Sequence, residues 1–175
     1  MIDPGYVQRM ARYNRWQNEN AYAVADGLTP LERQKDRGAF FGSIHQTLSH
    51  LLWADGVWMS RFSDWPRPPG GIPQSIALFA DWQLLQQERL CCDRAIIAWA
   101  DGVDRAWLGD DQTYYSGAAK RDVTRPRWIL VAHMFNHQTH HRGQAHGLLS
   151  ATGVAPPSLD LIYFIGAPGG AGASG

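Results

Sequence analysis

Apolar positions recur every three or four residues over four long stretches of the chain, and helix breakers separate the stretches. Asp3 and Pro4 form an N-cap and first-turn pair. The helix they open is expected to run to about Asp26, where Gly27 can end it. Tyr6, Met10, Tyr13, Ala21 and Val24 are available for its inner side. A charged loop through Lys35 and Arg37 follows. A second helix begins near Ser43 and carries SIHQTLSHLLWADGVWMSRF. Its apolar residues fall on two sides: Ile44, Leu48, Leu51, Leu52, Met59 and Phe62 on one, Trp53, Ala54 and Val57 on the other. One side is expected to pack the interior and the other to meet a partner subunit. Pro66, Pro68, Pro69, Gly70 and Gly71 then stop the helix.

A third helix is expected from about Ser75 to about Ala100. Residues 101–123 lack a helical period, and a short hairpin fits residues 112–120, where TYYSG combines strand formers with a turn glycine. Thr124 is placed as the cap of a fourth helix with Pro126 in its first turn, ending at Gly153. Pro156 and Pro157 prevent a restart, and LDLIYFI is a closing strand or single helical turn. The glycine-rich end, residues 166–175, is expected to be disordered. Four helices of about 20 residues in a chain of this length predict an all-α protein. The architecture is a four-helix bundle over residues 1–165, with long inter-helix loops and the hairpin between the third and fourth helices.

Composition narrows the function classes. The formal net charge is zero with histidines neutral, which is not the electrostatic footprint of a nucleic-acid binder. The local run Lys120, Arg121, Arg125 and Arg127 is a solvated loop on this reading. No apolar run approaches a membrane span, and the start MIDPGYVQRMARYNRW has no apolar core of a signal peptide. Cys91 and Cys92, the two cysteines of the chain, are sequence neighbours and unsuited to a mutual disulfide. They fit small thiols in a reducing cytoplasm, so a cytoplasmic location is expected. The eight tryptophans imply large aromatic packing, mostly in the core.

The chemistry lies in the fourth helix. His133, His137, His140, His141 and His146 are five of the chain's seven histidines, all within AHMFNHQTHHRGQAHGLL. Neutral imidazole is the commonest metal ligand, and a spacing of four stacks rings on one helix face. His133, His137 and His141 form a stripe shared with Leu130, Gln144 and Leu148. Neighbours in it are about 6 Å apart along the axis and can pinch one ion, whereas the outer two are about 12 Å apart. His140 can share the face, and His146 points elsewhere. The helix therefore offers two ligands, and a third must come from another helix. His45 and His50, both on the second helix, are the candidates. Periodicity does not choose between them.

The segments TLSHLLWADGVWMSRF, HMFNHQTHHRGQAHGLL and PPSLDLIYFI together resemble the DinB family of metal-binding proteins, which includes the YfiT-like proteins. The resemblance spans nearly the whole chain. It implies a four-helix bundle, usually a homodimer, holding a divalent metal by three histidines. Carried onto this sequence these are His50 from TLSHLL and His137 and His141 from NHQTHHRGQ. His133 then becomes a pocket residue, and His140 and Arg142 support packing or hydrogen bonding between helices.

Three histidines leave a coordination position open, the pattern of catalytic zinc. Such an ion activates water or a thiol, or polarises a carbonyl. Zinc or nickel is the leading expectation, with iron and manganese also compatible with nitrogen ligands. Asn136, Gln144, Asp55 and Gln46 are candidates to accept from the outer ring nitrogens. Asp55 and Glu88 are the candidate general bases, though each fits a surface or capping role better. The expected function is a metal-dependent hydrolase or thiol S-transferase with a small-molecule substrate. The alternative is a non-catalytic bundle stapled by its metal and acting as a dimeric interaction module.

Overall fold

The computed structural model describes residues 1–117 and 119–164; the expected disordered tail lies outside them. Among the described residues the chain is mostly helical. Its long helices are α1 (Pro4–Asp26), α3 (Ile44–Phe62), α5 (Trp82–Gly102) and α7 (Arg127–Ser150). Short helices α2 (Pro30–Gln34), α4 (Ile72–Ser75) and α6 (Arg105–Gly109) occupy the connections. Strands β1 (Asp111–Ser116) and β2 (Arg121–Pro126) pair antiparallel with Asp111 opposite Pro126 and Ser116 opposite Arg121. Each long helix packs on two others: α1 on α5 and α7, and α3 on α5 and α7. No helix among the described residues is long and apolar enough to cross a membrane.

Caps and buried faces explain the helices. Asp3 caps α1 through Tyr6 N at 2.8 Å, as its sequence signature predicts. The inner face of α1 is Val7, Ala11, Asn14, Asn18, Ala21, Tyr22 and Ala25, while Tyr6 is exposed. Ser43 caps α3 through Gln46 N at 3.2 Å. Leu48, Leu52 and Met59 of α3, Leu85 and Ile96 of α5, and Val131, Met134, Phe135 and Leu149 of α7 fill the apolar interior.

Four expectations are corrected. The third long helix begins at Trp82 rather than Ser75. Two carbonyls before it are taken by side chains of α3 instead of helical N–H groups: Ser49 Oγ donates to Ser75 O at 2.7 Å, and His45 Nε2 bonds Phe79 O at 2.6 Å. Asp81 then caps α5 through Leu84 N at 2.7 Å. Thr124 is not a helix cap. It lies in β2 with its hydroxyl 2.8 Å from that of Thr113, and α7 starts at Arg127 without a side-chain cap. Residues 101–123 are more regular than expected, because Asp104 caps α6 and the hairpin extends from Asp111 to Pro126. The closing element is a single 3-10 turn, Leu161–Tyr163.

The fourth correction concerns the second apolar side of α3. Trp53, Ala54 and Val57 are buried against Leu78 of the same chain. The loop after α3 lies over them: Trp53 Nε1 donates to Pro69 O at 3.0 Å, and a Cβ on Gly56 would stand 3.2 Å from Pro68 Cγ. Nearly every residue of α3 is thereby buried within one chain, and this face is covered by the chain's own loop.

Candidate metal centre

His50 comes from the middle of α3 and is 2 % exposed. His137 and His141 come from successive turns of α7, the first half-buried and the second buried. Ring centroids are 5.5 Å apart for His50 and His137, 4.8 Å for His50 and His141, and 4.4 Å for His137 and His141. One ring nitrogen from each lies within 4.8 Å of the other two. The ambiguity on α3 is resolved: His45 turns away to Phe79 O and Trp82, while His50 meets α7.

The other histidines of α7 stay outside the trio. His133 is exposed, 6.0 Å from His137 and edge-on to Trp58 at 5.1 Å. His140 is exposed and packs edge-on against His141 at 4.8 Å. His146 is bonded to Pro157 O at 3.2 Å.

Hydrogen bonds fix which nitrogen is free in two of the three rings. The Ser75 hydroxyl donates to Ile72 O at 2.7 Å, so it accepts at 2.8 Å from His50 Nδ1–H. His141 Nδ1–H donates to Gln144 Oε1 at 2.8 Å. Both rings are then neutral tautomers with the lone pair on Nε2. His50 Nε2 is buried with no partner, as is His137 Nδ1. A buried polar atom without a partner carries a desolvation cost of about 1–3 kcal/mol and calls for an explanation. Two such atoms on converging imidazoles fit a cation, which needs lone pairs in this arrangement. The donor set suits zinc, nickel, iron or manganese, and nitrogen donors alone do not select among them.

Electrostatics keep the rings neutral. Burial, and then the neighbouring His141 and His137, push the His50 pKa down to about 3. Burial and His141 push His137 down to about 4. Burial also lowers His141, against the opposing effect of its hydrogen bond to Gln144. At neutral pH none of the three must shed a proton before donating to a metal.

Two neighbours of the trio have no signature in the sequence. Phe41 stacks on His50 with ring centroids 3.9 Å apart and leans on His141 at 5.1 Å. A tight turn delivers it: Gly42 N donates to Ala39 O at 2.8 Å, and Gly42 adopts φ +74°, a conformation favouring glycine. The other is Ser75, the last residue of α4.

Of the expected orienting residues, Gln144 fills that role for His141. The Asn136 amide instead donates to Ala132 O of its own helix at 3.0 Å. Asp55 is not placed as a base. It is 1 % exposed and accepts from Arg89 at 2.7 Å and from Gln138 at 2.9 Å. Glu88 is half-buried on α5, and among the described residues it forms no hydrogen bond or ion pair with the trio.

Asp55 belongs to a buried polar network that joins all four long helices. Arg89 of α5 bridges Asp55 of α3 and Asp93 of its own helix at 2.7 and 2.8 Å. Asn18 of α1 donates to Asp93 at 2.9 Å, and Arg142 of α7 donates to Asn14 and Asn18 at 2.7 and 2.8 Å.

Comparison with protein families gives one result to set beside this geometry. The model of the DinB family matches residues 1–168, nearly the full chain. The protein belongs to the DinB family. A comparison with curated proteins gave no match.

Proposed function

We propose that this DinB-family member is a divalent-metal-dependent enzyme, a hydrolase or thiol S-transferase, with His50, His137 and His141 as the ligands of one ion. The observation that carries the reading is the pairing state of the imidazoles. Three neutral rings converge, and two buried ring nitrogens among them lack any partner. The metal, when bound, would supply a Lewis-acid position that activates water or a thiol at neutral pH. The chain's own residues do the rest. Ser75 and Gln144 hold the outer nitrogens of His50 and His141 and so fix the direction of their lone pairs. Phe41 covers His50 and limits water on that side. Three protein ligands leave a position for a substrate atom. The leading metals are zinc and nickel. The four long helices are taken as the four-helix bundle of the family, and the homodimer is part of the same proposal.

The test is elemental mass spectrometry on untagged protein, wild type beside His50→Ala, His137→Ala and His141→Ala. About one metal per chain is expected in the wild type, with loss in each variant and retention of the helical circular dichroism. Stoichiometric metal in His137→Ala overturns the ligand assignment. An enzyme requires an exchangeable position on the metal, which water proton relaxation of the manganese-loaded protein reads. A saturated site with a large stability loss on chelation would instead favour a metal that only staples α3 to α7.

A further inference from the structure

Beyond the histidines, the end of α3 and the hairpin hold a cation, Arg61, that forms no ion pair among the described residues. Arg61, in the last turn of α3, places its guanidinium carbon 4.2 Å from the Trp58 ring and 4.3 Å from the Tyr114 ring. Tyr114 belongs to β1, so the hairpin reaches over to α3, and Gln112 of the same strand donates to Arg61 O. Two aromatic faces thus fix the guanidinium in place. The same Trp58 ring meets His133, and His133 neighbours His137. A continuous line of side chains therefore runs from Arg61 to the three-histidine site.

Among the described residues, what separates Arg61 from the other buried and half-buried arginines is its missing acceptor. The half-buried or buried arginines Arg12, Arg33, Arg37, Arg89, Arg127 and Arg142 each donate to a carboxylate, a carbonyl or an amide oxygen. Arg61 is half-buried as well, yet among the described residues its guanidinium has no hydrogen bond and no ion pair. Burial lowers its pKa, and the charge of Arg67 adds to that shift. A guanidinium offers a planar fork of N–H donors that matches a carboxylate or a phosphate. Here the fork is held by rings on which it can stack but to which it gives no hydrogen bond.

We infer that Arg61 anchors an acidic group, carboxylate or phosphate, of an extended substrate whose reactive end lies at the three-histidine site. The inference rests on the metal-enzyme reading above and adds the substrate class to it. Arg61 is eleven residues beyond His50, a backbone rise of about 16 Å; its side chain turns back over Trp58 and recovers part of that distance, and Trp58 and His133 still stand between it and His137. A small anion at the histidines would not reach it, so the substrate carries its charge at a distance from the reacting atom, with His133 and Trp58 between.

The experiment uses the full chain loaded with cobalt(II), whose visible spectrum reports thiolate ligation. It is titrated with mercaptoalkanoates of increasing length, with mercaptoalkyl phosphates, and with neutral mercaptoalkanols of matched length. Above a threshold length the acids should bind about tenfold more tightly than the alcohols at low salt, the size expected of a charge-assisted hydrogen bond that is partly screened. A preference for carboxylate or for phosphate then names the group. Arg61→Gln should abolish the advantage while leaving the cobalt spectrum and the mercaptoalkanol affinity unchanged, and Arg61→Lys should keep part of it. Equal binding of acids and alcohols by the wild type overturns the inference whether or not the variants fold. Survival of the advantage in folded Arg61→Gln overturns it too. Failure to take up cobalt at all is a different result, which removes the metal reading and the inference together.

Discussion

Removing the Ser75 hydroxyl should weaken metal binding without touching a ligand. Ser75 is 0 % exposed, accepts from His50 Nδ1–H at 2.8 Å and donates to Ile72 O at 2.7 Å. In Ser75→Ala, His50 loses the acceptor that fixes both its tautomer and its ring angle. Loss of such an outer partner costs about 10- to 100-fold in metal affinity, or about 1.4–2.7 kcal/mol. Fold stability falls separately, because a buried N–H left without an acceptor costs about 1–3 kcal/mol. Ser49→Ala is the control. Its hydroxyl holds the same short helix through Ser75 O at 2.7 Å and is equally buried, but touches no histidine. The assay is competition for zinc against a chromophoric chelator, with urea unfolding of each metal-free protein beside it. Ser75→Ala should lose affinity and stability, Ser49→Ala stability alone. Equal zinc affinities for wild type and Ser75→Ala would refute the orienting role. An equal loss in Ser49→Ala would show that docking of α4, not the bond to His50, is responsible.

Asp55→Ala should destabilise the metal-free protein by about 3–5 kcal/mol, since it strands part of the charge on buried Arg89. Asp55→Asn, which can still accept from Gln138, should cost less; urea unfolding decides, and a loss below about 1 kcal/mol for Asp55→Ala contradicts the structural role. Acid should destabilise the metal-free protein earlier than its carboxylates alone would. The folded pKa values of His50 and His137, about 3 and about 4, lie below the unfolded value. The unfolded chain therefore takes up protons first, and the stability contributed by these rings is complete above about pH 6.5 and lost as the pH falls toward 4 and 3. Between pH 6.5 and 5 the loss is about 2 kcal/mol for each ring. Urea midpoints across that range measure it, and a profile no steeper than that of a His50→Gln/His137→Gln variant rules the effect out.

Much of the fold was legible because its cues are local. Asp3 caps where its side chain predicts, α3 begins beside Ser43 as expected, and the apolar periods of α1, α3 and α7 place those helices. The misses share one cause, a distant partner that overrides a local pattern. Ile76, Leu78 and Phe79 continue an apolar period into α5, but Ser49 and His45 of α3 take the carbonyls of Ser75 and Phe79. Thr124 looks like a cap until Thr113 pairs with it across the hairpin. The second apolar face of α3 looks like an interface because nothing local says that Pro68 and Pro69 fold back over it. In the site, the spacing in α7 pointed to a pair that includes His137, and family resemblance named His141 and His50. Ser75, Phe41 and the isolation of Arg61 depend on tertiary approach and have no spacing to betray them.

The block NHQTHHRGQ carries two interleaved pairs with separate tasks. His137 and His141 are four residues apart and face His50 of α3. Gln138 and Arg142 repeat that spacing one residue later, about 100° around the helix, and face the polar interior. Gln138 reaches Asp55 of α3, and Arg142 reaches Asn14 and Asn18 of α1. On α3 the division recurs, because His50 and Asp55 are five residues apart and point to different sides. The bond from Gln138 to Asp55 at 2.9 Å thus sets the rotation of α7 against α3, and the histidines beside these residues inherit that setting. A buried ion pair adds little stability over well-packed apolar side chains, so stability alone is a weak reason to build a core from Arg89, Asp55 and Asp93. Angular register is a better one: apolar contacts tolerate a few degrees of helix rotation, whereas three imidazoles that must converge within a few ångströms do not.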